Sequence, residues 1–213
     1  KGHSYILVAD VSRGLANDYS AFLVIDITEL PYKVVAKYRD NEIKPLLFPN
    51  KIHDVAKVYN QAFVLVEVND IGDQVAHTLQ FDLEYDNMLM ATMRGRAGQI
   101  LGSGLGGGAG RSQLGVRTTK AVKRIGCSNF KTLLESDKFI TEDYDLINEM
   151  STFIIHGSSY AADDGCNDDL VMCAILFSWC TTQQFFKELT DIDLRKRISL
   201  ESSDQLENDM LPF

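Results

Sequence analysis

Apolar runs of strand length, separated by polar turns, open the chain. The first run, from Tyr5 to Ala9, has β-branched character and ends at Asp10, a pattern typical of a buried central strand. A second run, Ala21 to Ile27, follows a long polar turn, and the segment Tyr32 to Tyr38 alternates apolar and polar residues. Three such segments in succession predict an antiparallel three-stranded meander.

Helix and strand patterns then alternate. Apolar residues at helical spacing over Phe48 to Gln61 predict an amphipathic helix, with Asn50 as its N-terminal cap. The run Ala62 to Val68 predicts a second buried strand, and the intervening helix makes it parallel to the first. A helix from Asn69 to about Phe81 and a strand from Asn87 to Thr92 continue the series. The pattern indicates the α/β class: a central mixed sheet, the meander plus parallel strands, flanked by helices.

The second half of the chain begins with a glycine-rich segment. Six glycines fall within nine residues, so we expect Gly95 to Gly115 to be a mobile loop or one ordered only by a partner, and we hypothesise that it gates access to a site. Beyond it we expect a basic helix from Thr118 to Glu135, with room for a break at Gly126, and a short strand from Phe139 to Ile140. A second helix from Asp143 to Met150, a hairpin from Thr152 to Tyr160 and a buried helix from Asp168 to Lys187 should follow.

The length and composition of the chain bound its organisation. With 213 residues, 45% of them hydrophobic, the chain can build one large core, and we expect one domain at residues 1–190 and a charged, poorly ordered tail at residues 191–213. The longest apolar run, Leu170 to Trp179, is too short to span a bilayer, so we expect no membrane association. A strand that begins almost at Lys1 suggests a fragment of a longer polypeptide. Four cysteines without a CxxC pair favour buried, reduced thiols of an intracellular protein over a zinc site.

The charge distribution is uneven. A net charge of -9 and an isoelectric point near 4.9 count against a general polyanion binder. Acidic residues concentrate between Glu201 and Asp209, however, whereas seven basic residues cluster in mid-chain. We predict that these seven form a DNA-binding surface, the alternative being a solvated helix face. They are Arg94, Arg96, Arg111, Arg117, Lys120, Lys123 and Arg124.

Carboxylates at the ends of the apolar elements are the candidate catalytic groups. Asp10 ends the first strand, Glu67 ends the second buried strand, and Asp168 and Asp169 open the buried helix. Each position has an ordinary alternative, because an Asp at a helix start is usually a cap and a carboxylate at a strand end is usually solvated. Neighbouring strands would nevertheless bring Asp10 and Glu67 together, where they repel unless a divalent cation compensates them. Oxygen ligands favour Mg²⁺ or Mn²⁺, and two-metal phosphodiester hydrolysis uses carboxylates as metal holders.

Two glycine patterns resemble nucleotide-binding motifs without their context. The stretch Gly102 to Gly107 matches GxGxxG, but no βαβ unit surrounds it. The stretch Gly110 to Ser112 resembles the end of a phosphate-binding loop, but Arg111 replaces the lysine and Leu105 takes the place of the first glycine. We therefore expect no ATPase activity.

Three segments together resemble the three nuclease motifs of tailed-phage terminase large subunits, and the T4-type packaging motor most of all. They are Asp10-Val11-Ser12-Arg13-Gly14 with Asp18-Tyr19-Ser20, Val64 to Asn69, and Asn167 to Met172. The resemblance covers nearly the whole chain and implies an RNase H-like fold. Carried over motif by motif, it implies that Asp10, Glu67 and Asp169 are the catalytic metal ligands for Mg²⁺, with Mn²⁺ as a substitute. Asp168 is a neighbouring ligand or an alternative to Asp169.

The resemblance also implies a setting. The chain would be the C-terminal nuclease of a two-part protein whose N-terminal ATPase drives DNA into a prohead, and it would work with the portal and the small terminase subunit in the host cytoplasm. It would cut concatemeric double-stranded viral DNA at initiation and again when the head is full. Two other functions compete with this hypothesis: a catalytically idle docking module for the portal or motor, and a resolvase of branched DNA.

Overall fold

The structure, a computed structural model, describes residues 2–13, 18–92, 98–103, 112–157 and 159–191. Its helices are α1 (Phe48–Val58), α2 (Gly72–His77), α3 (Lys120–Glu135), α4 (Tyr144–Thr152) and α5 (Asp169–Thr181). A π-helical turn, Thr78–Asp82, continues α2, and residues 184–191 are also helical. The strands are β1 (Tyr5–Asp10), β2 (Ser20–Asp26), β3 (Tyr32–Asp40), β4 (Phe63–Val66), β5 (Leu89–Thr92), β6 (Ile100–Ser103), β7 (Ser112–Leu114), β8 (Phe139–Ile140), β9 (Phe153–His156) and β10 (Ser159–Ala162).

The main sheet has five strands in the order β4-β1-β2-β3-β8. β1 pairs antiparallel with β2, and β2 with β3, which confirms the predicted meander. β4 pairs parallel with β1, and β8 parallel with β3. The sheet is therefore mixed, as predicted, and β1 lies between an antiparallel and a parallel neighbour.

Both faces of this sheet are covered, which explains the continuous apolar runs in β1, β2 and β4. Ile6 and Val8 point to a core built with α3 and α5, whereas Leu7 and Ala9 point to a second core built with α1 and α2. Helix α5 is buried along nearly its whole length, from Asp169 to Cys180. Such a helix, apolar on all sides, lies inside the protein between the sheet and α3.

A second sheet is formed by the predicted strand β5 and by two strands, β6 and β7, that lie where the sequence predicted only a loop. Strands β6 and β7 both pair antiparallel with β5, in the order β6-β5-β7. Part of the predicted loop Gly95 to Gly115 is thus ordered sheet, while residues 95–97 and 104–111 lie outside the described residues. The small sheet joins the main one through Val116, whose N–H donates to the carbonyl of Val66. Glycines dilute the apolar pattern here, although Ile100 and Leu114 are buried.

Two local predictions were wrong. Helix α1 starts after Leu47 with Pro49 in its first turn and has no side-chain cap, so Asn50 does not cap it. Helix α3 runs unbroken through Gly126. A Cβ at this position would lie 2.5 Å from the carbonyl oxygen of Ile175 on α5, so a residue without a side chain is needed here. The glycine permits the close approach of two helices and does not mark a break.

Among the described residues, no helix combines the length and apolarity needed to cross a bilayer.

Candidate active site

Asp10 and Glu67 lie side by side at one edge of the main sheet. β1 and β4 are adjacent parallel strands paired as far as Ala9 and Val66, so the two acidic residues follow at the same level. The N–H of Glu67 donates to the carbonyl of Ala9 at 2.9 Å. Burial, and then the charge of Glu67 and a hydrogen bond with its side chain, raise the pKa of Asp10 well above its usual range.

Asp169 approaches the pair from the start of α5. Its side chain is buried, at 8% exposure, and its Oδ1 accepts a hydrogen bond from the N–H of Tyr19 at 3.2 Å. Burial, followed by the charges of Glu149 and Asp168, raises its pKa to about 7. The other oxygen, Oδ2, is buried and has no hydrogen-bond partner among the described residues. Burying a carboxylate oxygen without a hydrogen-bond partner costs free energy. An oxygen that binds a metal ion would be left without a partner in the ion-free protein.

Asp168 differs from its neighbour. It occupies the N-cap position of α5, yet its side chain makes no capping hydrogen bond. Instead its Oδ2 lies 3.9 Å from Nζ of Lys123, and its side chain is 30% exposed. The alternative of a simple helix cap is therefore not observed.

Neighbouring groups hold Glu67 in place. Asn69 donates from Nδ2 to Oε1 of Glu67 at 2.9 Å and to the carbonyl of Thr118 at 3.4 Å. At Gly72 a side chain would overlap the carbonyl oxygen of Glu67. The turn after β4 thus folds back tightly on the residue that carries the carboxylate.

A polar network behind Asp169 was not predicted. Oε2 of Glu149 accepts from the N–H groups of Leu170 and Val171 at 2.8 and 3.0 Å, which anchors the first turn of α5. Arg39 lies 3.3 Å from Oε1 of Glu149, and its guanidinium stacks 3.8 Å above the ring of Tyr19. One signal was present in the sequence, since Glu149 falls three residues after Leu146 on the buried face of its helix.

The cysteines pack without forming disulfides. Cys173 lies beneath the site, with its Sγ 3.6 Å from the carbonyl of Ala21, and burial raises its pKa well above the usual value. Cys180 is also buried, Cys127 is half-buried, and all four are free. Cys166 is exposed and precedes α5, whereas Cys173 and Cys180 lie on that helix.

The carboxylates open into a cleft of about 490 Å³. It is lined by Asp10, Val11, Ser12, Arg13, Asp18, Tyr19, Asp70, Asp168 and Asp169. Within the described part of the chain, no three Asp, Glu, His or Cys side chains already stand in an arrangement that holds a metal ion. Glu67 and Asp169 lie close enough to Asp10 to raise its pKa, and ion binding requires the three side chains to turn toward a common centre.

The basic residues divide into two groups. Lys123 is near the cleft through its contact with Asp168, and Lys120 and Arg124 are exposed on the same helix. Arg117 is exposed in a neighbouring groove that also includes Asp70 and His77. Arg94, Arg96 and Arg111 lie outside the described residues.

Comparisons with known proteins agree with this architecture. Residues 7–172 match the family described as Terminase RNaseH-like domain. The large terminase nuclease of thermophilic phage G20c with bound magnesium is similar in structure, with a TM-score of 0.59 and 19% identity over 84% of this chain and 81% of that chain. The large terminase nuclease domain of Thermus phage P74-26 has a TM-score of 0.55 at 19% identity, over 82% and 77%. The manganese-soaked human cytomegalovirus terminase nuclease domain has a TM-score of 0.54 at 10% identity, over 87% and 85%. The fold is RNase H-like, as the sequence resemblance implied.

Proposed function

Since this chain belongs to the Terminase RNaseH-like domain family, we propose that it is a metal-dependent endonuclease that cuts concatemeric double-stranded viral DNA during genome packaging. The observation that carries the proposal is the convergence of Asp10, Glu67 and Asp169 at the end of two parallel strands and the start of α5. Carboxylates partly or fully withdrawn from water in such proximity cost free energy unless they bind protons or a cation.

The residues present fit a divalent ion. Asp10, Glu67 and Asp169 would hold it, and Asp168 lies beside them as a further oxygen donor. Carboxylate oxygens suit Mg²⁺ or Mn²⁺, and the similar G20c and cytomegalovirus domains were solved with magnesium and manganese. When bound, such ions activate a water molecule and stabilise the leaving oxygen of a phosphodiester.

The protein's own groups prepare this site. Asn69 orients the Glu67 carboxylate, and the N–H of Tyr19 fixes one oxygen of Asp169, leaving the other for the ion. Glu149 holds the first turn of α5, and therefore the backbone of Asp169, in position.

The basic mid-chain residues supply the contacts with DNA in this proposal. Lys120, Lys123 and Arg124 share the first turns of α3, and Lys123 reaches the edge of the cleft. Arg117 precedes that helix, and Arg94, Arg96 and Arg111 complete the set proposed from the sequence. Lysine and arginine at such positions attract the phosphate backbone without reading its sequence.

The proposed setting is the packaging motor at the prohead in the host cytoplasm. There the nuclease would act with an ATPase domain, the portal and the small terminase subunit, cutting at initiation and at headful termination. Family membership and the site described above support this setting.

The test is a plasmid-cutting assay with Mg²⁺, Mn²⁺ or EDTA, using Asp10→Asn as the control. We expect cutting with either metal, none with EDTA, and none by the variant. Asn has the same shape as Asp and can hydrogen-bond to Glu67, so circular dichroism and the melting temperature should show an intact fold.

Other outcomes would redirect the assignment. Undiminished cutting by Asp10→Asn would remove Asp10 from the catalytic set. Cleavage of four-way junctions in preference to linear duplex would favour the resolvase, and no cutting with either metal would favour the docking module.

A further inference from the structure

One ion pair crosses the mouth of the carboxylate cleft. Arg13 contacts Asp70 with both arms of its guanidinium, Nε to Oδ2 at 2.5 Å and Nη2 to Oδ1 at 2.6 Å. This forked geometry is the one that arginine also uses to bind phosphate.

The two partners hold equivalent positions beyond the strands that carry the catalytic carboxylates. Arg13 comes three residues after Asp10, and Asp70 comes three residues after Glu67. Because β1 and β4 are neighbouring parallel strands in register, the pair lies directly beyond Asp10 and Glu67. Asp70 also has φ +52, a conformation uncommon for a residue other than glycine, so the turn presents this carboxylate at some cost to the backbone.

The surroundings make Arg13 unusual. The cleft lining includes five aspartates, and Arg13 is the one basic side chain among the lining residues that the structure describes. The side chain is 65% exposed, so it is accessible to a ligand from solvent. A DNA phosphate that approaches this acidic cleft therefore meets a single forked cation at its entrance.

The ion pair itself is easily exchanged. Arg13 and Asp70 are both exposed, and exposed pairs contribute little to stability because water screens them. The guanidinium still lowers the pKa of Asp70, so this carboxylate stays charged at neutral pH. The carboxylate of Asp70 accepts both hydrogen bonds of the Arg13 guanidinium, as the oxygens of a phosphate can.

We propose that Arg13 binds a phosphate of the DNA backbone at the cleft, and that Asp70 holds it in the DNA-free protein and releases it when the duplex enters. The inference rests on the proposed nuclease function and adds a contact that the basic residues of α3 do not supply. Asp70 then competes with DNA for Arg13, so loss of Arg13 lowers the affinity for DNA and loss of the Asp70 charge raises it.

The test measures binding of a fluorescent duplex in EDTA, where no cutting occurs, across a range of salt concentrations. Arg13→Ala should weaken binding by roughly tenfold, as expected for a lost charged hydrogen bond, and should lower the slope of log K against log salt by about 1. Arg13→Lys should restore part of the affinity. Asp70→Asn should tighten binding by up to about fivefold, the limit set by an exposed ion pair.

Matched variants separate this exchange from general charge effects. Lys131→Ala removes an exposed cation that pairs with Glu135 on α3, and Asp73→Asn removes an exposed acid close to Asp70. Both should change affinity much less than the corresponding changes at Arg13 and Asp70. In the double variant Arg13→Ala/Asp70→Asn, the gain from Asp70→Asn should disappear, because it requires a free arginine.

The same variants are then assayed for cutting with Mn²⁺. Arg13→Ala should mainly raise KM, since the contact acts in DNA binding. Equal binding by Arg13→Ala and the wild type, or a gain from Asp70→Asn that persists in the double variant, would overturn the inference. If either of these results is obtained while the wild type cuts and Asp10→Asn does not, the role of Arg13 is rejected and the nuclease function still stands.

Discussion

At the scale of single residues, two adjacent aspartates have different environments. Asp169 is buried, held by the N–H of Tyr19, and has one oxygen with no hydrogen-bond partner among the described residues. Asp168 is partly exposed and lies near Lys123. The sequence could not decide between these two candidates, because both aspartates stand next to each other at the start of the buried helix. Their difference arises from the helix start, which turns one side chain inward and the other toward α3.

This difference predicts unequal effects of substitution. Asp169→Asn removes a proposed metal ligand while keeping an oxygen to accept from Tyr19, so cutting should fall by more than about 100-fold, the upper limit for an outer-shell partner. Asp168→Asn should lower it by about 10- to 100-fold. Plasmid-cutting rates and Mn²⁺ titration calorimetry measure both effects. A nearly normal Asp169→Asn with an inactive Asp168→Asn would reverse the assignment.

At the scale of elements, apolar periodicity predicted what hydrophobic burial controls. The strands of the main sheet and helix α5 follow the pattern because their residues fill two cores. The pattern failed where glycine has a packing role: it suggested a break at Gly126 and an unstructured loop where β6 and β7 form a sheet. Asp10, Glu67 and Asp169, proposed from the sequence, lie near one another, and their role as metal ligands stays a prediction. The Arg39, Tyr19 and Glu149 network depends on long-range contacts that no local pattern records.

The contact at Gly126 gives a prediction about two helices. Gly126→Ala would place a methyl group against the carbonyl of Ile175, forcing α3 away from α5. The crowding should destabilise the protein by about 1 to 3 kcal/mol, even though alanine favours helix by about 1 kcal/mol. Urea unfolding followed by circular dichroism measures the change.

A control on the same helix separates crowding from helix propensity. Ser128→Ala, at an exposed position two residues later, should be neutral or stabilise by a few tenths of a kcal/mol, roughly the difference in helix propensity. If Gly126→Ala stabilised the protein to the same extent, the close approach of α3 and α5 would not be limiting.

At the scale of the whole molecule, an acidic protein is proposed to act on DNA. The net charge is -9, and the cleft itself is lined by aspartates, so long-range attraction to DNA must come from local basic groups. The proposed arrangement places these groups beside the cleft on α3 and a single arginine at its mouth. A bound cation would then offset the remaining acidic charge where the phosphate must approach.

The same excess of buried carboxylate predicts how metal-free stability depends on pH. The native pKa values of Asp10 and Glu149 are raised and that of Asp169 is about 7, whereas an unfolded aspartate titrates near 3.9. The native state therefore binds more protons than the unfolded state between about pH 4 and 7. The contribution of these groups is complete below pH 4 and is lost as the pH rises through 7. Asp40 and Asp70 have lowered pKa values, so their opposite contribution changes only in acid.

In EDTA, the contribution of these carboxylates to the melting temperature should accordingly fall between pH 5 and pH 8. Mn²⁺ binds the deprotonated carboxylates, so the rise in melting temperature that it causes should be larger at pH 8 than at pH 5. Differential scanning calorimetry at both pH values, with and without Mn²⁺, measures this, and Asp169→Asn should flatten both dependences. An equal shift by Mn²⁺ at pH 5 and pH 8 would mean that the ion binds somewhere other than these protonated groups.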